Sequence, residues 1–557
     1  MNNSIPISVS LSGLHQRNRE LKEAPVNRRV FYLSLQSIFN ALLIGFIARG
    51  LVYLIDGITN ICFYGRFSFQ PASPAGNHLG LAVVLIPVLG SIIVGLMARF
   101  GSRSITGHGI PEAMEKIIVD NSRIKPVITF LKPLSAAISI GTGGPFGAEG
   151  PIIATGGAFG SFTGQLMHIS AGERKIILAA GACAGMAAIF GTPLAAVMLA
   201  IELLLFEFSP RSIIPVAAGC ITGAGMHIFL FGSQPVFYMP AMAPASETAL
   251  LVYIGLGLII GVAASGISRS VYLIEDLFEK LPIHWMWFPA IGSLAIGITG
   301  YFAPETMGVG YDNIRHLLDG PLPLSLLLSL CLLKYISWSV SLGSGTSGGT
   351  LAPLFTIGGA TGALLGTMIL GLFPSAPISI PLTALIGMAS MFAGASRALL
   401  TSILFALETT GQSNALLPLL AACIPAYFVS FFLMEGSIMT EKIKRRGIHA
   451  PDAFHPDVLQ SIPVFNFLSG AEEGDLGLPY ILDTDDLGFA AEMMGKYHLL
   501  KLLVVKPGST REIVGVIHAD SILNYYSTEK QKDQVYESPR RTKKIMVRGR
   551  NIIKSKI

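Results

Sequence analysis

The stretch GTGGPFGAEGPIIATGGAFG (residues 141–160) sets a single carboxylate, Glu149, among glycines in a chain that is otherwise apolar. A carboxylate at membrane depth costs about 2.5–3.5 kcal/mol and tends to line a functional path. Glu149, Gly150 and Pro151 precede IIATGGAFGSF, which fits a helix beginning at proline, a favoured first-turn residue. Such a helix start presents free N–H groups and the positive end of its dipole. Glycine lets that backbone approach an ion closely. An anion site built of main-chain donors follows, with Glu149 as a tethered anion competing for the same donors. The alternative is that Glu149 only caps its helix.

Working outward, 51% of the 557 residues are hydrophobic and 13% charged, with mean hydropathy +0.61, so the largest domain is solvated by lipid. Residues 81–100 and 251–270 have the ~20-residue length that crosses a bilayer. With 61 glycines and 33 prolines, many helices should be interrupted, which lipid tolerates only where protein or a water-filled cavity satisfies the freed backbone. The five cysteines form no CxxC pair and read as small core residues. With no HExxH arrangement either, no enzyme, metal or cofactor is indicated.

The first 30 residues carry Arg17, Arg19, Arg28 and Arg29 without the apolar run of a secretory signal, and the chain ends in RRTKKIMVRGRNIIKSKI. By the positive-inside rule both ends should be cytoplasmic, in the plasma (inner) membrane, and the number of crossings even. The net charge of +5 then reflects membrane orientation and not nucleic-acid binding. The expected organisation is a cytoplasmic tail (1–30), a membrane domain (31–440), a linker with a small soluble region (441–528) and a basic tail (529–557).

The quoted stretch recurs. Shifted by 202 positions, Gly141, Gly143, Gly147, Pro151, Gly156, Gly157, Ala158, Gly160 and Gly164 fall on Gly343, Gly345, Gly349, Pro353, Gly358, Gly359, Ala360, Gly362 and Gly366. Gly181, Ala200 and Glu202 recur as Gly387, Ala406 and Glu408 at a shift of 206. Two related halves are implied, inverted if each crosses an odd number of times. In the second copy, GGTLAP (348–353), Leu351 stands where Glu149 stands in the first, so this side offers N–H donors without an acid of its own. GHGIPEAM (107–114) has the same glycine-then-proline form. The expected fold is an all-α polytopic membrane domain of two inverted repeats of broken helices, with a small α+β C-terminal region read as strand, helix, strand, turn (PGST, 507–510), strand, helix.

GHGIP, GAEGP and GGTLAP, in this order, resemble the three pore motifs of the CLC family of chloride channels and proton-coupled chloride exchangers. The resemblance covers nearly the whole membrane domain. It implies a homodimer with one anion path per subunit, broken helices meeting at the anion, and Glu149 as the gating glutamate. The implied anion contacts are His108, Gly109 and Ile110, the N–H groups of Ala148, Glu149 and Gly150 at an outer site, and those of Thr350 and Leu351 at a central one.

Three positions depart from the pattern. His108 stands for the family's serine and Met439, in GSIMTEK, for its tyrosine, so two hydroxyl donors are replaced. His108 is either a protonated anion contact that adds pH dependence or a neutral ring turned into a helix interface. Leu203 occupies the internal proton-relay position, with Glu202 one residue earlier. Glu202 is the remaining relay candidate, although its recurrence as Glu408 favours a structural role. These departures lean the expected function toward passive passage of chloride or similar small anions, with chloride/proton exchange as the alternative. GAEGP and GHGIP keep the chloride-type pattern, against fluoride export. A non-transporting receptor or scaffold is a third reading. Residues 499–523 resemble one cystathionine-β-synthase-type (CBS) repeat, in which the ribose-binding acid falls near Ser521 with Asp520 one place off, so adenine-nucleotide binding is weakly implied and a structural dimer contact equally so.

Overall fold

In a computed structural model, which describes residues 26–167, 169–447, 459, 462–471, 478–483, 485–506 and 513–537, glycine and proline cut the apolar sequence into helices of very unequal length. The chain divides into two units, Val26–Ala453 and one that includes Phe454–Ile557. The expected PGST turn and the outer parts of both basic tails lie outside the described residues.

The helices of the first half are α1 (Val26–Tyr64), α2 (Leu85–Phe100), α3 (Ile110–Ile118), α4 (Ile128–Gly141), α5 (Glu149–Leu166), α6 (Ala171–Phe190), α7 (Pro193–Leu199, continued by a wider π-type turn over Ala200–Leu205) and α8 (Pro210–Phe231). Those of the second are α9 (Glu247–Glu279), α10 (Phe288–Phe302), α11 (Tyr311–Asp319), α12 (Leu324–Leu328), α13 (Lys334–Gly343), α14 (Leu351–Leu372), α15 (Ile380–Ser396), α16 (Leu399–Thr410) and α17 (Leu416–Leu433). A short helix α18 (Glu441–Arg445) follows and still belongs to this unit, which therefore runs past the boundary at 440 expected from the sequence.

Among the described residues, seven helical stretches are long and apolar enough to span a bilayer, and Gly80–Phe100 and Glu247–Glu279 contain the two segments picked out by hydropathy. Their outward side chains, such as Leu251 and Phe229, are exposed and suited to lipid. Helices α3 and α11 are different: nine residues at 1.5 Å each reach about 14 Å, under half the hydrocarbon thickness. Helix α3 starts inside the protein, with Ile110 and Pro111 buried.

The halves are inverted repeats related by a local two-fold. Residues at equivalent positions can meet each other only on the axis of such a relation, and two pairs do. Gly147 and Gly349 exchange backbone hydrogen bonds at 3.4 and 3.0 Å as an isolated antiparallel bridge, and the hydroxyls of Ser91 and Ser293, 202 residues apart, bond to one another. Away from the axis the contacts come in pairs. A side chain on Gly156 would strike the carbonyl of Gly181 and the reverse, which locks α5 on α6; Gly358 and Gly387 do the same for α14 and α15. Small residues let these helices pack backbone to backbone where no hydrophobic force acts between them and lipid.

In the other unit, β1 (Tyr480–Leu482) is parallel to β2 (Lys501–Val505), which is antiparallel to β3 (Ile513–His518), with α19 (Leu487–Tyr497) between β1 and β2 and α20 (Ala519–Glu537) after β3. This is the element order read from the sequence. Asp486 caps α19 by accepting the Phe489 N–H at 2.8 Å. Ile481, Leu487, Met494, Leu502, Val504 and Ile517 form its core.

Candidate functional site

The three glycine-bearing loops converge at backbone distance. A side chain on Gly109 would strike the carbonyl of Gly150, and one on Gly150 would strike the carbonyl of His108 and come within 2.8 Å of Gly349 Cα. Only glycine permits this approach. Helix α5 begins at Glu149, two residues before the expected start at Pro151, so proline occupies the third position and the amides of the N-cap Ala148, of Glu149 and of Gly150 have no partner within the helix. Helix α14 repeats the arrangement, beginning at Leu351 with Pro353 third, which frees the amides of Leu351 and Ala352. Helix α3 begins at Ile110 after Gly109.

Glu149 is 1% exposed. Its Oε1 accepts the N–H of Ala352 at 2.9 Å, and the carboxylate also lies against its own amide and that of Leu351. The acid therefore bridges the starts of α5 and α14. The sequence suggested that it competes for the donors of its own helix and that the second half is free of a competing acid; the bonded amide is instead in the second half, one residue beyond the expected donors Thr350 and Leu351. The reason is the dyad, which brings the two helix starts together so that one side chain serves both. The carboxylate folds over Gly147 and Gly349, where a side chain would overlap it.

His108 is 5% exposed, and Ile110 and Ala148 are buried. Behind them the Gly109 N–H donates to Glu112 Oε2 at 2.7 Å, and Glu112 Oε1 accepts Lys442 Nζ at 2.9 Å, tying α3 to α18. Met439 is fully buried in the turn just before α18. That turn is held by Tyr272, whose hydroxyl donates to the Ile438 carbonyl at 2.6 Å, and by the Met439 N–H on Ser437 Oγ at 3.2 Å.

Glu202 lies in the π-type turn after α7, beside the buried Leu203. It accepts the N–H groups of Leu400 and Thr401 at 2.9 and 3.0 Å and the Thr401 hydroxyl at 2.7 Å. Glu408 reciprocates from α16, accepting the N–H groups of Leu194 and Ala195 at 3.0 and 2.8 Å. Each acid caps a helix of the other half.

Two features escaped the sequence reading. Lys132 (1% exposed) donates to the carbonyls of Ile105 and Gly107 at 2.8 and 2.9 Å, and Lys334 (0%) to those of Thr306 and Gly308 at 3.2 and 3.4 Å. Each ammonium pins the loop before a short helix, α3 or α11. Those loops are themselves copies: Gly107-His108-Gly109-Ile110 and Gly308-Val309-Gly310-Tyr311, with positive φ at all four glycines (89°, 92°, 65° and 79°). Tyr311 thus approaches the site from the second half as the GHGIP loop does from the first. Its ring packs edge-on against Phe190 and Phe237, with centroids 5.9 and 5.6 Å away. The lysine spacing, the same 202 positions as the glycines, was the available signal.

A cavity of about 870 Å³ opens on the α18 side, where charged walls from Arg103, Lys116, Glu275 and Lys442 lead to Ala113, Ala154 and Gly343–Gly345.

A sequence profile described as Voltage gated chloride channel matches residues 89–431. A ClcB-like protein of Ralstonia nicotianae, provisionally named a chloride channel protein, is 27% identical over 369 residues, 65% of this chain and 86% of that protein. The H(+)/Cl(-) exchange transporter ClcA of Salmonella arizonae is 29% identical over 395 residues, 69% of this chain and 82% of that protein. A slow cyanobacterial Cl-/H+ antiporter superposes with TM-score 0.67 at 24% identity, over 74% of this chain and 97% of the other, a likeness of fold.

Proposed function

The chain belongs to the voltage gated chloride channel (CLC) family of anion transporters, and on that premise we propose that it exchanges chloride, or a similar small anion, for protons across a membrane. The observation that carries this reading is the hydrogen bond from Ala352 N–H to Glu149 Oε1 at 2.9 Å. An ionised Glu149 holds the amide donors of α14; protonated, it is a poor acceptor and gives way to an anion. One side chain then binds either a proton or a place among the donors, which is the linkage that exchange requires.

Leu203 and Met439 leaned the sequence toward a passive channel, and this lean is not supported. Relatives named as exchange transporters align over 395 residues, 69% of this chain. Leu203 removes one proton relay, and Glu202, with both oxygens engaged in capping, does not replace it. The cavity lined by Arg103, Lys116, Glu275 and Lys442 is the polar surface from which a proton route other than Leu203 would start. The channel reading keeps one specific support, the name of the Ralstonia relative.

Purified protein in liposomes tests the choice. An imposed chloride gradient should drive protons uphill; chloride flux with no proton movement would leave the passive channel. The proposal includes a homodimer in the plasma (inner) membrane with cytoplasmic termini, and a C-terminal unit that acts as one CBS-like repeat in a structural role, since Asp520 is out of step with the ribose-binding position.

A further inference from the structure

Four buried polar atoms around the glycine loops have no hydrogen-bond partner among the described residues: Nδ1 of His108, Oε2 of Glu149, Oγ1 of Thr350 and the hydroxyl of Tyr311. Buried polar atoms are ordinarily paired, so a cluster of orphans marks a place for something else.

The orphaning of Thr350 has a definite cause. It is 1% exposed and stands at the N-cap of α14, where a threonine normally accepts the amide of the second or third helical residue. The third residue is Pro353, which has no N–H, and the second is Ala352, whose N–H goes to Glu149. The cap is therefore displaced by the acid and its hydroxyl left idle. Tyr311 is idle as well. Its oxygen is turned toward the Ala148 amide, the charges acting on it are Glu149 and then Arg315, and its ring is held edge-on against Phe190 and Phe237, which also touch each other, while its hydroxyl has no partner among the described residues. Lys334 fixes the loop that delivers it.

We propose that Tyr311 and Thr350 are side-chain hydroxyl donors to the transported anion, one from each side of the Glu149 seat, in a chain that offers no hydroxyl at 108 or 439. Neutral O–H donors bind a dehydrated monovalent halide without the full positive charge that would trap it. The assignment rests on the transport reading above.

The test is calorimetric titration of chloride into full-length protein in detergent carrying Glu149→Gln, which weakens the competing acceptor. Adding Tyr311→Phe or Thr350→Val should weaken chloride binding about tenfold each, the usual effect of losing a hydrogen bond to a charged partner. Thr350→Ser should restore it, whereas a packing role would make Ser and Val alike. Affinities within about twofold of the parent in both Tyr311→Phe and Thr350→Val, with unchanged melting temperature, overturn the assignment alone. A Glu149→Gln parent that binds no chloride removes the transport reading and this assignment with it. If Tyr311→Phe does not fold, the Thr350 Ser and Val pair decides.

Discussion

Glu149 Oε1 and the amide of Ala352, 203 residues apart in the chain, are joined by a 2.9 Å hydrogen bond across the two halves. The bond is strong only while the carboxylate is ionised. Lowering the pH therefore frees the Ala352 amide, and anion flux should rise as pH falls. Glu149→Gln cannot ionise, so it should keep or raise the flux, flatten its pH profile and abolish proton coupling. A profile as steep as that of the unsubstituted protein would return Glu149 to a plain helix cap.

Gly147 lies beneath that carboxylate, and an added methyl group would occupy its place. Gly147 does not have a positive φ, so alanine is tolerated by the backbone and the strain falls on the side chain of Glu149. Gly147→Ala should therefore displace the acid and mimic Glu149→Gln in liposomes, with reduced pH dependence. If flux and pH profile are those of the unsubstituted protein, the acid reaches Ala352 by another path.

The reciprocal caps of Glu202 and Glu408 separate a structural acid from a proton relay. Glu202→Ala leaves two helix-start amides and one hydroxyl without their acceptor, a loss of about 1–2 kcal/mol for the cap. Melting temperature should fall, and the proton-to-chloride ratio should not change. Glu408→Ala should lower stability similarly, because its contacts are the mirror of the first. A lost proton coupling in Glu202→Ala at unchanged stability would make Glu202 a relay after all.

Much of this architecture could be read from local sequence, because glycine and proline act where they stand. Their 202-residue recurrence exposed the two halves, and the sequence order of the C-terminal elements followed from alternating apolar runs. What could not be read is which half a side chain serves. Glu149 looks local to α5, yet the amide that its carboxylate accepts lies on α14, since the dyad and not the chain decides its neighbours. Helix α5 begins before Pro151 because the helical ladder already starts ahead of the proline, the Ala148 carbonyl accepting the Ile152 N–H at 3.1 Å. The paired lysines were legible only through their 202-residue spacing, and Tyr311 only through the weaker echo of Gly107-x-Gly109 in Gly308-x-Gly310, where no proline follows.

His108, buried beside the Gly150 backbone, should set anion preference if its ring faces the ion. His108→Ser exchanges an imidazole for a smaller hydroxyl donor and should shift chloride, bromide and nitrate permeability ratios. Identical ratios would mean that the ring points into the α3 packing.

Lys334 is a fully buried cation that forms no ion pair among the described residues, whereas its repeat mate Lys132 has Glu112 acting on it. An unpaired buried charge is costly, and an anion held near the Gly308–Tyr311 loop would offset part of that cost. Chloride should therefore raise the melting temperature of the protein in proportion to how far its concentration exceeds the dissociation constant. Lys334→Met also leaves the carbonyls of Thr306 and Gly308 unsatisfied, about 1–3 kcal/mol for a buried acceptor, so its melting temperature without chloride should be lower. Its chloride-dependent rise should be smaller too, while Lys132→Met, which removes a charge that already has Glu112 acting on it, should lose stability yet keep most of the rise. An equal chloride response in both variants would show that the field of Lys334 does not reach the anion.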